Sequence, residues 1–221
     1  MPVDSRASIE VTTLSWVPEP AKGLVKDLRV RWALEEAGLS YRIRQVGADR
    51  PGYCNDQPFN QVPCFTDGKV QIFESGAIVQ YIGEQSEALL PRDPQRRIRA
   101  IQWTYAALSS VEPSVQHRVL LERVWAEHDW AQQSKPMMDQ MAKMRLQQVS
   151  DRLGDNEWLD GVGFTIGDLM MITVLRIGDR AKLLDPTPNL VAYMERGQSR
   201  PAFRQALADH FQAFEPKGEA A

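Results

Sequence analysis

The chain has 221 residues, of which 43% are hydrophobic and 25% charged, and its formal net charge is -3. This length and composition can bury a core, either in one large domain or in two smaller ones. A weakly negative chain lacks the excess of lysine and arginine that draws a protein onto nucleic acid or an anionic membrane, so we expect neither partner. A small neutral or anionic ligand fits this charge better.

The N-terminus and the cysteines indicate a reducing compartment. The first eleven residues contain no apolar segment of the length that a signal peptide needs, and no apolar run approaches the roughly 20 residues of a membrane span. We therefore expect a cytoplasmic protein. Cys54 and Cys64 are too few for a disulfide framework and no Cys/His cluster has zinc spacing, so we expect reduced thiols and no metal.

The first third of the chain alternates between strand and helix patterns. Residues 9–14 are rich in β-branched side chains and predict a strand, residues 25–37 carry apolar side chains at helical spacing, and residues 41–46 alternate like a second strand. Gly38 is placed to end the helix. A strand, helix and strand in this order favour parallel pairing with a right-handed crossover.

The next segment predicts a hairpin followed by a helix. After a loop at residues 47–60, two apolar runs flank Asp67-Gly68, which is a strong hairpin signal. Glu74-Ser75-Gly76 then opens an apolar stretch that predicts a helix with Ser75 near its cap. The predicted order is β-α-β-β-β-α.

From about residue 84 to residue 94 the chain is polar and punctuated by proline, as expected of a linker. Beyond it the periodicity is helical and no segment predicts a strand, so we expect a helical bundle. Thr165 and Asp168 stand in a capping-box arrangement that starts one helix, with Phe164 placed to contact Leu169. The helical segments are 96–111, 137–153, 168–184, 190–196 and 202–211.

Pro63 has two interpretations. A proline at the start of a strand avoids donating a ladder hydrogen bond, which is an ordinary structural role. Alternatively, the Val62-Pro63 bond is cis, and its turn leaves the N–H and C=O of Val62 available to an extended peptide ligand.

Glu74-Ser75 also has two interpretations. The pair is either an ordinary helix start or a site at which the free N–H groups and the Ser75 hydroxyl bind a carboxylate while Glu74 faces an ammonium group. A free α-amino acid end supplies both groups. Together with the proline turn, this predicts a site for a short peptide with a free glutamyl terminus.

The chain resembles the cytosolic glutathione transferases over about residues 9 to 214. The resemblance rests on a series of short motifs that occur in the order of the family. They are Arg29–Leu39 (RVRWALEEAGL), Gln61–Phe65 (QVPCF), Phe73–Ile78 (FESGAI), Ala88–Pro91 (ALLP), Phe164–Asp168 (FTIGD), Asn189–Tyr193 (NLVAY) and Arg200–Phe203 (RPAF).

The resemblance implies an α/β plus all-α fold. Residues 7–86 would form a thioredoxin-like domain, residues 87–95 a linker and residues 96–215 an all-helical domain. It further implies a cis Val62-Pro63 bond, a cytoplasmic role in detoxification and a homodimer. Glutathione, as co-substrate, would bind along Gln61, Val62, Pro63, Glu74 and Ser75.

The family activates glutathione with a Tyr, Ser or Cys near the start of the first helix, because the thiolate is the nucleophile and a free thiol has a pKa of about 8.5. Here Leu24 or Val25 occupies that place. We assign the catalytic role to Ser15 or Trp16, although Ser15 equally suits the end of a strand. Other donors are Lys22, Lys26 and the backbone N–H groups around Gly23, and Lys22 either binds the glycyl carboxylate of glutathione or is an ordinary surface lysine.

The second substrate, by the same resemblance, lies between the domains against the first long helix of the bundle. Trp103, Tyr105, Leu108 and Glu112 lie on that segment and could line an apolar pocket. Their spacing is equally typical of a bundle core.

Three functions are consistent with the sequence. The first is conjugation of the glutathione thiolate to a small apolar electrophile. The second is glutathione-dependent reduction of a disulfide or peroxide, or isomerisation, at the same site. The third is a non-catalytic binding protein that keeps the fold, since a fold by itself does not determine function.

Overall fold

The computed structural model describes residues 3–47 and 49–214. These residues divide into two compact units. The first contains the described residues up to Ser86 together with those from Arg200 onward, and the second is Glu87–Ser199. Residue 215, the predicted end of the helical domain, and Ala48, in the predicted loop, lie outside the described residues. None of the helices in the described part of the chain is long and apolar enough to cross a membrane.

Within the described residues, the first unit contains a mixed sheet of four strands in the order β2-β1-β3-β4. β1 is parallel to β2 and antiparallel to β3, and β3 is antiparallel to β4. The predicted β-α-β-β-β-α order is confirmed. The elements are β1 (Ile9–Leu14), α1 (Asp27–Ala37), β2 (Tyr41–Val46), β3 (Cys64–Thr66), β4 (Gln71–Phe73) and α2 (Ser75–Gly83).

α1 starts two residues later than the periodicity predicts. Residues 19–21 form a 3₁₀ turn, and further turns continue to Lys26, so the apolar side chains of Leu24 and Val25 lie outside the helix. The predicted end is confirmed, because Gly38 adopts a left-handed conformation with a φ of 66°.

The last helix, α8 (Pro201–Gln212), belongs to the first unit and packs on α1, although sequence reasoning grouped residues 96–215 as one helical domain. The aromatic rings of Trp32 and Phe203 meet edge to face with centroids 4.8 Å apart. Periodicity shows which residues of a helix face a core, but it does not show which partner helix supplies that core.

A buried polar cluster joins α1 to α8. Arg31 Nε donates to Asp27 Oδ2 at 2.8 Å, and His210 Nδ1 lies 3.2 Å from the same oxygen. Burial by itself would raise the pKa of the Asp27 carboxyl, but the neighbouring Arg31 and His210 outweigh it and lower that pKa. The cluster therefore holds Asp27 as a buried anion between the two helices.

The second unit is helical in its described part. α6 is almost entirely buried, in keeping with its largely apolar sequence. Sequence reasoning missed α4, because Pro113 and the polar residues near it interrupt the apolar period, yet a proline in the first helical turn has no N–H to satisfy. The helices are α3 (Pro94–Tyr105), α4 (Glu112–Arg123), α5 (Asp129–Leu153), α6 (Ile166–Asp179) and α7 (Pro188–Gln198), and Ala106–Val111 between α3 and α4 is π-helical.

The capping box that starts α6 is confirmed. Thr165 Oγ1 accepts from the Gly167 N–H at 3.2 Å, and Asp168 Oδ2 accepts from the Thr165 N–H at 2.9 Å. Asp168 Oδ1 also accepts from the Leu159 N–H and the Tyr193 hydroxyl, each at 2.9 Å. Burial raises the pKa of Asp168 to about 6, against the lowering effect of these donors.

We expect Asp168→Ala to lower the free energy of unfolding by about 3 kcal/mol, because buried donors lose a charged acceptor. Urea denaturation at pH 8 measures this loss. Asp155→Ala, at an exposed aspartate of the same unit, is the matched control. Equal stabilities for the two variants would contradict the role assigned to Asp168.

The Glu35 carboxyl on α1 makes the free energy of unfolding depend on pH. This carboxyl is partly buried near Asp209, and burial, reinforced by the Asp209 charge, raises its pKa from 4.5 to about 7. The folded state therefore binds more protons than the unfolded state between these values. Stability falls as the pH rises through this window and stays lower above it.

Glu35→Gln should remove this pH dependence. We expect the variant to match the parent protein at pH 4 and to be more stable by about 1 kcal/mol at pH 8, a figure reduced for the solvent screening of a half-exposed group. Urea denaturation at several pH values measures both stabilities. A difference that does not change with pH would contradict the prediction.

Candidate functional site

Three segments of the first unit that the sequence singled out meet at one edge of the sheet. Because β3 is antiparallel to both β1 and β4, its start lies beside the ends of those strands. Leu14, Val62 and Phe73, one from each segment, pack on the same apolar cluster, which is formed by Val46, Tyr53 and Cys64. The structure thus brings together Val62 and the residues that follow β1 and β4, which are Ser15 and Glu74.

The turn before β3 is fastened at both ends. The Val62-Pro63 bond is cis, as the resemblance implied. On one side the Cys64 N–H donates to Thr12 Oγ1 at 2.7 Å, and on the other the Gln61 C=O accepts from the Tyr53 hydroxyl at 2.8 Å. Within residues 3–47 and 49–214, the backbone N–H and C=O of Val62 have no hydrogen-bond partner.

Buried hydroxyl groups connect the two ends of this turn. Tyr53 uses its single hydroxyl proton on Gln61, so Thr12 donates to the Tyr53 oxygen across 2.9 Å. Burial raises the pKa of Tyr53 to about 12, which keeps that proton in place at neutral pH. A continuous chain of donors therefore runs from the Cys64 N–H through Thr12 and Tyr53 to the Gln61 C=O.

The N–H of Gln61 also has a hydrogen-bond partner, the side chain of Gln57. Gln57, which is buried, accepts from it through Oε1 at 3.2 Å and accepts from the Phe59 N–H at 2.6 Å. Sequence reasoning missed Thr12, Tyr53 and Gln57. The available signal was the pair Thr12-Thr13 inside a largely apolar strand. This pair indicates a buried polar contact for Thr12 but does not identify Tyr53 or Gln57.

The start of α2 carries the second predicted feature. Glu74 precedes the helix with a φ of 68°, and its side chain is exposed and makes no capping hydrogen bond. Ser75 is the first helical residue and is 4% exposed. Its hydroxyl accepts from Arg29 Nη1 on α1 at 3.2 Å. The first intrahelical bond comes from the Ile78 N–H, so the N–H groups before it have no acceptor inside the helix.

The predicted activating residues follow β1. The Ser15 N–H donates to the Val46 C=O at 2.9 Å and continues the pairing with β2, whereas its side chain is exposed. Trp16 is 72% exposed, and Lys22 Nζ lies 2.7 Å from Glu19 Oε2. Ser15 therefore reaches the shared sheet edge, and the roles of all three remain predictions.

The predicted second-substrate residues lie in different environments of the second unit. Trp103 and Leu108 are half-buried, Tyr105 is 59% exposed and Glu112 is buried. A side chain on Gly167 would clash with Trp103, so this tryptophan packs closely on α6. Trp103 thus contributes to the helical core, and the substrate role of the group remains a prediction.

The cysteines are free, with Cys54 exposed and Cys64 buried. Cys64 Sγ donates to the Asp56 C=O at 2.9 Å, and burial raises the pKa of its thiol. A buried thiol with a raised pKa is a poor nucleophile at neutral pH. In the described part of the chain, no group of three or more His, Cys, Asp or Glu residues could hold a metal ion.

Tyr53→Phe should lower the free energy of unfolding by about 1–2 kcal/mol, because the Gln61 C=O and the Thr12 hydroxyl both lose a partner. Tyr81→Phe is the matched control. It also removes a tyrosine hydroxyl bond, to Asp67 at 2.7 Å, but at a solvent-accessible position where water replaces the partner. Urea denaturation compares the two, and an equal loss in both variants would contradict the buried chain.

Residues 22–84 match the family model for the N-terminal domain of glutathione S-transferases. This span contains α1, the Val62 turn and the start of α2. It therefore includes Arg29, Val62, Glu74 and Ser75, which the geometry brings forward independently.

Curated relatives and solved structures extend the similarity to most of the chain. The disulfide-bond oxidoreductase YfcG of Escherichia coli strain K12 is 27% identical over 191 residues, which cover 79% of this chain and 86% of that protein. A glutathione S-transferase of Hyoscyamus muticus is 28% identical over 204 residues, which cover 81% and 92%.

A crystal structure of a glutathione transferase family member from Pseudomonas fluorescens pf-5, with two glutathione bound, shares the fold with a TM-score of 0.79. The two sequences are 22% identical, and the match covers 90% of this chain and 92% of the Pseudomonas chain. The matching N-terminal domain, the relatives and the shared fold agree, and together they support the resemblance of the chain to the cytosolic glutathione transferases.

Proposed function

We propose that the protein binds glutathione in its first unit and conjugates the glutathione thiolate to small, largely apolar electrophiles. One observation supports this more than any other. Among the residues that the structure describes, the N–H and C=O of Val62 are unpaired, and they lie on a turn fastened at both ends, beside the strand that leads to Glu74 and Ser75.

The cysteinyl residue of glutathione would be bound by Val62. An extended peptide pairs with exposed backbone groups as a further strand does, and such pairing recognises the main chain whatever the side chain. Because the chain of buried hydroxyl groups already fixes Gln61 and Cys64, the ligand meets a preformed turn and little ordering remains to be done on binding.

The γ-glutamyl end would be bound at the start of α2. Its carboxylate would accept from the free N–H groups of the first helical turn and from the Ser75 hydroxyl, while its ammonium group faces the exposed carboxylate of Glu74. A helix N-terminus favours an anion through both its donors and its dipole.

The thiol would then lie near the end of β1. A hydroxyl or indole N–H that donates to the thiolate favours the charged form and lowers the pKa of the thiol. Ser15 is our first candidate for that donor because it directly follows Leu14, which packs in the same cluster as Val62. Trp16 is the second, and Lys22 would contact the glycyl carboxylate.

Glutathione-dependent disulfide reduction is the second candidate function. It is favoured by the similarity to a protein named disulfide-bond oxidoreductase and by the absence from the sequence of a Tyr, Ser or Cys at residues 24 to 27. A cytoplasmic location, a homodimer and a second-substrate pocket at Trp103, Tyr105, Leu108 and Glu112 stay predictions.

Ser75→Ala should weaken glutathione binding by at least tenfold, because a carboxylate loses one of its hydrogen-bond donors. Titration calorimetry measures the affinity, and ultraviolet difference absorbance across pH measures the pKa of the bound thiol, which we expect below that of free glutathione. Ser40→Ala, at an exposed serine of the same unit, is the control. No binding by the parent protein at millimolar glutathione would refute the catalytic proposals and favour a non-catalytic binding protein.

Two assays separate the candidate reactions. Conjugation is followed with a chlorodinitrobenzene, and disulfide reduction with hydroxyethyl disulfide in the presence of glutathione. We expect conjugation, and we expect Ser15→Ala to lower its rate at least about tenfold, because the loss of a donor to the thiolate raises the pKa of the thiol. Disulfide reduction without conjugation would replace the first candidate by the second.

A further inference from the structure

We infer that Arg29 is a positioning residue for glutathione, which orients the Ser75 hydroxyl toward the γ-glutamyl carboxylate and places a buried positive charge behind it. This inference rests on the proposed function, because it concerns the same ligand end. It assigns a role to a residue of α1 that lies outside the predicted binding segments.

The contact on which it depends is buried on both sides. Arg29 is 2% exposed and Ser75 is 4% exposed, and Arg29 Nη1 lies 3.2 Å from Ser75 Oγ. Arg29 has further interactions besides this one, and the inference does not require Ser75 to be its sole partner.

The chemistry of the pair determines the direction of the hydrogen bond. A guanidinium group has donors and no acceptor and stays protonated in proteins, so Ser75 Oγ must accept from Arg29. The single hydroxyl proton of Ser75 is then directed to a different acceptor. A ligand carboxylate at the start of α2 supplies that acceptor, and Ser75 reaches it as a donor without first having to reorient.

The charge of Arg29 acts in the same direction. An attraction between charges is less screened in a protein interior than in water, and the N-terminus of α2 already favours an anion. Arg29 therefore adds a fixed positive charge behind the donors that would meet the carboxylate.

The neighbouring buried arginine shows that this arrangement is specific. Arg31 lies two positions further along α1, on a different face, where it pairs with Asp27 and donates to the Asp209 C=O of α8. Arg31 thus fastens α8, whereas Arg29 faces the helix that carries Ser75.

The test combines protein variants with two ligands. One is glutathione, and the other is glutathione whose γ-glutamyl carboxylate is converted to a primary amide. We expect Arg29→Met to weaken glutathione binding about tenfold or more and to change amide binding less than twofold, since charge-assisted bonds are about twice as strong as neutral ones. Arg204→Met, at an exposed arginine of α8, should leave both affinities unchanged.

Equal weakening of both ligands by Arg29→Met would overturn the inference, because a residue that merely supports the fold affects them alike. Where Arg29→Met does not fold, Arg29→Gln tests the same point. It keeps a polar donor and loses the charge, and it should weaken glutathione binding several-fold while sparing the amide. Glutathione binding by the parent protein is measured first, and its absence would refute the proposed function itself, which distinguishes the two failures.

Discussion

The candidate site depends on a short chain of hydrogen bonds that starts at the hydroxyl of Thr12. This buried group accepts from the Cys64 N–H and donates to Tyr53, which in turn donates to the Gln61 C=O. Because the hydroxyl groups are buried, the loss of any link leaves a polar group without a partner, which costs more than the bond itself contributes. This chain of hydrogen bonds therefore stabilises the turn. Val62 lies between the two fastened peptide groups, and its own N–H and C=O are unpaired within the described part of the protein.

α1 connects this site to the rest of the first unit. Its buried Arg31 joins Asp27 and the end of α8, while its buried Arg29 reaches Ser75 at the start of α2. A buried charge is costly unless partners satisfy it, and these hydrogen bonds connect both arginines to helices that pack on α1. The same helix thus stabilises the unit on one face and supports the proposed ligand site on another.

The sequence predicted what local patterns determine and missed what tertiary contacts determine. β1, β2, the Asp67-Gly68 hairpin and the capping box at Thr165 follow from alternation, turn residues and capping chemistry, and the structure confirms them. The packing of α8 on α1 and the bonds of Thr12 to Tyr53 and Cys64 join residues at least 41 positions apart, so no short window of sequence holds both groups. The bonds of Gln57 are local, to Phe59 and Gln61, but they lie in a loop whose sequence has no regular pattern. Val62, Glu74 and Ser75 were singled out because backbone recognition and a helix start have short sequence signatures. Arg29 entered the sequence analysis only as the first residue of the Arg29–Leu39 motif. Its proposed role depends on its burial and on its contact with Ser75, which the sequence alone does not show.

In the proposed site, recognition of glutathione and choice of reaction would be separate. The groups that would hold the peptide are backbone atoms of Val62 and side chains at the start of α2, which bind the main chain and the γ-glutamyl end rather than the thiol. At the start of α1, Asp27 is committed to Arg31 and His210 and is not a candidate donor to the thiol. The candidates that remain are Ser15 and Trp16 after β1 and the groups between β1 and α1. Conjugation and disulfide reduction both begin with the same thiolate and differ in the bond that it breaks. In the proposed site, the electrophile that reaches the thiolate, rather than the glutathione subsite, would therefore determine the reaction.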